Sequence, residues 1–120
     1  MLNTFFLLKV KGRGEMRNLD SKTKSEAVDM LFEGILMLEN SQDCYRFFED
    51  LCTINELKEM SERFQVAKFL WERKTYIDIK DRTGASTATI SRINKYLNYG
   101  NDGYKLVIEK LKDGSKKTNL

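Results

Sequence analysis

Residues 75–97 read TYIDIKDRTGASTATISRINKYL, and the spacing of apolar and small residues within this stretch decides the fold. Thr75-Tyr-Ile-Asp78 offers a helix cap, because a threonine hydroxyl can accept a backbone N–H that the first turn leaves unpaired. The short helix opened there must stop by Gly84, which takes the positive φ of a sharp interhelical turn without steric penalty. A second helix begins at Ser86 or Thr87 and runs to about Leu97. Ile79, Ala85, Ile90 and Ile93 then fall where two steeply crossing helices must pack together. The stretch predicts a helix-turn-helix from Thr75 to Leu97.

With Ile90, Ile93 and Leu97 turned inward, the opposite face of the second helix presents Thr87, Ala88, Ser91, Arg92 and Lys95, with Ser86 at its start. Small hydroxyl and methyl side chains let a helix approach base edges in the major groove, where they meet acceptors or thymine methyls. Arg92 and Lys95 can hold phosphate or guanine, and backbone N–H groups at the helix start add an anion site. No acidic side chain occurs between Asp81 and Asp102 to repel a polyanion. These features predict binding to double-stranded DNA through that face.

Charge is distributed in keeping with this. Residues 15–62 hold twelve acidic against five basic side chains, whereas residues 63–120 hold thirteen basic against six acidic, so a net −7 stands beside a net +7. A basic half of that kind suits a partner whose condensed counterions are released on binding. Histidine is absent, which removes the commonest general base, metal ligand and pH switch. Catalysis and a metal site are not expected. Cys44 and Cys52 lie eight apart, a spacing of neither a redox pair nor a zinc knuckle, and read as buried reduced thiols. With no export signal, they point to the cytoplasm.

The rest of the chain reads as helices, with no proline to interrupt them. Thr23-Lys-Ser-Glu26 has the form of a capping box and opens a run of Ala27, Val28, Met30, Leu31, Phe32, Ile35, Leu36, Met37 and Leu38 that leaves almost no polar face. So small a chain cannot cover such a helix on all sides, so a second copy is expected to do so. A short amphipathic helix follows from about Gln42 to Leu51, with Cys44, Phe47, Phe48 and Leu51 on one face. Thr53-Ile-Asn-Glu56 is another capping box, and Leu57, Met60, Phe64, Ala67, Leu70 and Trp71 give a long third helix ending near Lys74. Residues 1–15 differ in character. Phe5-Phe-Leu-Leu8 is too short to span a bilayer. Lys11-Gly-Arg-Gly-Glu15 has the all-purine codons of a translated ribosome-binding site, which places the natural start at Met16 instead of Met1. The domain then covers 16–112, and the basic segment 113–120 is expected to fray.

Gly84-Ala-Ser-Thr-Ala-Thr-Ile-Ser-Arg92, followed by Tyr99-Gly-Asn-Asp-Gly-Tyr104 and preceded by Asp50-Leu-Cys-Thr-Ile-Asn-Glu56, resembles the Trp-repressor-like YerC/YecD family. The resemblance runs from about Ser25 to Leu111. It implies an all-α chain of six helices, an intertwined homodimer, and transcriptional regulation by DNA binding. The family's DNA-facing positions fall on Lys80, Thr87, Ala88 and Ser91. At the positions of its effector pocket, Thr53, Arg63, Thr89 and Arg92 agree with residues that hold tryptophan. Ile93 stands where the family has a space-making glycine, Tyr96 replaces a serine, and Asp50 and Cys52 replace leucines. The added volume speaks against L-tryptophan as corepressor and leaves at most a vestigial pocket. Arg92 has three candidate roles, at a phosphate, in that pocket, or paired with an acidic neighbour. The competing reading is a protein-protein interaction module using the same helix pair, and a weaker one is a recombinase fragment without its catalytic acids.

Overall fold

A computed structural model describes residues 21–118 of the chain, and among them are six helices and no strand. In order these are α1 (Glu26–Leu36), α2 (Ser41–Leu51), α3 (Ile54–Trp71), α4 (Tyr76–Thr83), α5 (Thr87–Tyr99) and α6 (Gly103–Thr118). The expected upstream segment 1–15 and the start at Met16 lie outside the described residues. Contacts divide the chain into two compact units that meet in sequence at Leu51 and Cys52.

In the first unit, the cap of α1 is Ser25, not Thr23. The Ser25 hydroxyl accepts the Val28 N–H at 3.1 Å, while the Thr23 hydroxyl is engaged with Ser21 at 2.8 Å. The helix also stops two residues earlier than its apolar run, because Met37 and Leu38 tighten onto the Gly34 and Ile35 carbonyls. Asn40 starts α2 by accepting the Asp43 N–H at 2.8 Å. Neither helix contains a buried residue: Met30 is 68% exposed, and Phe32, Leu36 and Met37 are each more than half exposed. The two thiols are free, but Cys44 is exposed and Cys52 half-exposed, so burial is corrected. Cys44 shares the apolar face of α2 with Leu51, and that face remains open here.

The second unit is organised by α3, which touches α4, α5 and α6. Its cap is the predicted box: Glu56 N–H donates to the Thr53 hydroxyl at 3.1 Å, and Thr53 N–H returns to the Glu56 carboxylate at 2.9 Å. Hydrogen bonding to the carboxylate, first from the Thr53 backbone N–H and then from the Thr53 side chain, holds the Glu56 carboxyl below its ordinary pKa. Val66 and Ala67 are fully buried in the core, where they join Ile79, Ala85, Ile90, Ile93 and Ile108. Phe64, Leu70, Trp71, Tyr76 and Tyr104 pack around this centre. α6 runs on to Thr118, past the boundary expected at 112, with Ile108 as its buried anchor.

The turns on either side of α4 depend on two left-handed residues. Lys74 N–H bonds the Phe69 carbonyl at 3.1 Å and Arg73 N–H the Leu70 carbonyl at 3.0 Å, a Schellman ending that holds Arg73 at φ 64. α3 therefore stops at Trp71, a few residues before Lys74. At the other end Gly84 sits at φ 77, and a Cβ there would touch nothing within 4 Å. A side chain at Gly84 therefore meets only conformational strain. Gly84→Ala should lower the unfolding free energy by about 1–2 kcal/mol, and Arg73→Gly should raise it by up to about 1 kcal/mol, both read from urea unfolding.

Candidate nucleic-acid interface

The helix-turn-helix is built from short-range hydrogen bonds before any packing is counted. Thr75 caps α4 by accepting the Asp78 N–H at 3.1 Å, and Asp78 in turn pairs with Arg82 one turn later at 3.0 Å. Thr83 closes the turn from both sides: its hydroxyl donates to the Ile79 carbonyl at 2.7 Å and accepts the Ala85 N–H at 3.1 Å. Ser86 then caps α5, accepting the Thr89 N–H at 3.1 Å while donating to the Thr89 hydroxyl at 3.0 Å. Lys74, just before α4, and Arg82, in its last turn, each lie near 6 Å from the centroid of the Phe69 ring of α3 and tie this segment to the scaffold.

Packing fixes which face of α5 is turned outward. Ile90, Ile93 and Leu97 are buried at helical spacing, so Thr87, Ala88, Ser91, Arg92 and Lys95 share the exposed side, as the sequence pattern predicts. Lys80 on α4 is exposed as well. Among the described residues, Lys80, Arg92 and Lys95 have no ion pair, whereas Lys24, Arg82 and Lys105 each have one. Of the three roles open to Arg92, pairing with an acidic neighbour is not seen. Ser86 stands at the start of this face with its hydroxyl spent on the cap, so it sets where the helix begins.

Of the positions that the family resemblance assigns to an effector pocket, two have hydroxyls engaged within the chain. The Thr53 hydroxyl caps α3, the Thr89 hydroxyl accepts from Ser86, and Arg63 is half-buried on α3. Ile93 is 1% exposed and part of the core, while Tyr96 is 58% exposed on the surface. The position at which the resembling family has a glycine thus carries a core side chain here. Among the described residues, no cluster of side chains suits a metal ion, and no helix is long and apolar enough to cross a membrane.

The family described as Trp repressor protein matches residues 26–112, which cover α1 to α5 and most of α6. The chain belongs to the Trp repressor family. It is 49% identical over 92 residues to the YerC protein of Bacillus subtilis (strain 168), described as uncharacterized, covering 77% of this chain and 88% of that one. The crystal structure of a TrpR-like protein from Eubacterium eligens ATCC 27750 superposes with a TM-score of 0.73 at 59% identity, covering 75% of this chain and 93% of that one. A candidate Trp repressor from Staphylococcus aureus gives a TM-score of 0.74 at 45% identity, covering 80% of this chain and 95% of that one. The likeness to YerC agrees with the resemblance read from residues 50–56, 84–92 and 99–104.

Sequence reasoning from periodicity alone missed α6, whose register shows only in Tyr104 and Ile108, and the left-handed Arg73, for which no glycine gives a signal. Since Ile93 fills the core of this Trp repressor family member, Ile93→Ala should cost about 2–5 kcal/mol in urea unfolding. A cost near zero would mean that the position borders an open slot.

Proposed function

We propose that this chain is a sequence-specific regulator of transcription that binds double-stranded DNA as a homodimer, through the outward face of α5. The observation that carries the reading is that face itself: small hydroxyl and methyl groups at Thr87, Ala88 and Ser91 beside Arg92 and Lys95, which have no ion pair among the described residues, with no acid on the helix. The first group suits base edges and the second suits phosphate. Membership of the Trp repressor family supports a DNA-binding regulator, and two solved relatives carry TrpR-type names. The activity proposed is binding, without catalysis, in the cytoplasm where the DNA is.

A second copy is supported by apolar surface that one chain leaves open. Met30, Phe32 and Leu36 on α1, Met37 at its C-terminal cap, and Leu106, Val107 and Leu111 on α6 are exposed, a quantity of apolar area that a soluble monomer seldom shows to water. Two copies related by a two-fold axis would set two α5 helices into successive major grooves, about 34 Å apart. L-Tryptophan is not proposed as the effector, since Ile93 and Tyr96 occupy the positions where room and a small hydroxyl would be needed.

The test is fluorescence anisotropy on labelled duplex DNA over a range of salt concentrations. Arg92→Ala combined with Lys95→Ala should weaken binding to every duplex and flatten the salt dependence by about one counterion per lost cation, with helicity unchanged. Thr87→Ala should instead alter preference at one base pair by about 1–3 kcal/mol. Saturating L-tryptophan should leave the titrations unchanged. Equal affinity of the double variant and the wild type at low salt would reject the assigned face and favour a protein-docking helix pair.

A further inference from the structure

The apolar spacing ends α5 near Leu97, whereas the helix continues to Tyr99, and its last turn adds a chemical group to the outward face. At 3.6 residues per turn, Ala88, Arg92, Lys95 and Tyr99 fall within about 60° of one another around the axis. Tyr96 is turned well to the side of that line. Tyr99 is 86% exposed, and its hydroxyl has no hydrogen-bond partner among the described residues. The turn that carries it is well held. Leu97 is buried, Gly100 N–H bonds the Tyr96 carbonyl at 2.9 Å, and the Asn98 side-chain amide donates to the Asn94 carbonyl at 2.9 Å. A Cβ at position 100 would run into the Tyr96 carbonyl oxygen, so glycine is what lets the chain leave the helix there.

We propose that Tyr99 is a DNA-contacting residue whose phenol donates a hydrogen bond to a backbone phosphate at the edge of the groove that the start of α5 enters. The proposal rests on the reading of α5 as the helix that faces DNA. From Thr87 to Tyr99 the axis extends by roughly 18 Å, more than the roughly 12 Å width of a major groove. A helix with its first turn among base edges therefore emerges over the sugar-phosphate rail before it ends. A tyrosine suits that place, because the ring covers sugar carbons while the hydroxyl reaches a phosphate oxygen. Being neutral, it adds affinity without releasing a counterion.

The test compares full-length wild type with Tyr99→Phe and Tyr99→Ala, by anisotropy on a labelled random-sequence duplex at several salt concentrations. The Arg92→Ala, Lys95→Ala double variant is measured in parallel. Tyr99→Phe is expected to bind about five- to tenfold more weakly with an unchanged salt slope, since one bond to a charged acceptor is lost and no charge is. Tyr99→Ala should be at least as weak. Wild-type affinity of Tyr99→Phe beside a weakened double variant would overturn the proposal and leave the α5 face standing. Wild-type affinity of both would sink the α5 reading, and Tyr99 with it. Loss of a dimer in sedimentation of Tyr99→Phe would assign the phenol to a subunit contact and overturn the proposal as well.

Discussion

The middle of α3, where Val66 and Ala67 lose all exposure, is the contact surface on which the second unit depends. Ile79 from α4, Ile90 and Ile93 from α5 and Ile108 from α6 meet there, with Ala85 of the turn between α4 and α5. Each fully buried aliphatic side chain contributes about 1.5–3 kcal/mol, so a handful of residues supplies most of the drive for four helices. The same burial decides orientation. Once Ile90 and Ile93 face α3, the outward side of α5 has no freedom left, and Thr87, Ala88, Ser91, Arg92 and Lys95 must face solvent. The composition of the exposed surface is thus a consequence of how the core is filled.

Local bonds and packing divide the work within the helix-turn-helix. Thr75, Thr83 and Ser86 fix where α4 begins, where the turn closes and where α5 begins, each with a hydroxyl spent on backbone groups. Gly84 supplies the one backbone conformation the turn needs, and Phe69 holds two cations over its ring. Among the described residues Arg82, which belongs to this framework, has an ion pair, whereas Arg92 and Lys95 on the outward face have none. That separation between structural and available charge is the electrostatic basis of the proposed DNA contact. The Ile93 side chain belongs to the framework as well, which is why a pocket for an indole is not proposed at this point of the fold.

Much of this was legible in the residues, and the parts that were not have identifiable physical reasons. The Thr53–Glu56 box, the Thr75 cap and the Gly84 turn are local devices with local signatures, and each is found where the spacing puts it. The inward set Ile79, Ala85, Ile90 and Ile93 follows from a helical period that tertiary contact only reinforces. The Thr23 box failed because Ser21 and Thr23 hydroxyls satisfy each other, leaving Ser25 to cap. The expectation of buried cysteines fails because Cys44 lies on an exposed part of α2, whose neighbours Phe47 and Phe48 are only half-buried, and Cys52 follows the end of that helix half-exposed. The extent of α5 to Tyr99 was missed because its last turn is polar and is held by backbone and asparagine bonds, which periodicity does not register. The Thr87, Ala88 and Ser91 positions came from helical phase and from family resemblance alike, and the two agree, whereas Lys80 on α4 came from the resemblance alone.

The central claim is that two copies of one α5 face read DNA together, and repeated selection of bound sites from a pool of random duplexes tests it most directly. The account predicts enrichment of a near-palindrome whose half-sites are centred about one helical turn apart. Failure to enrich any sequence, or enrichment of a single asymmetric site bound by one chain, would contradict it.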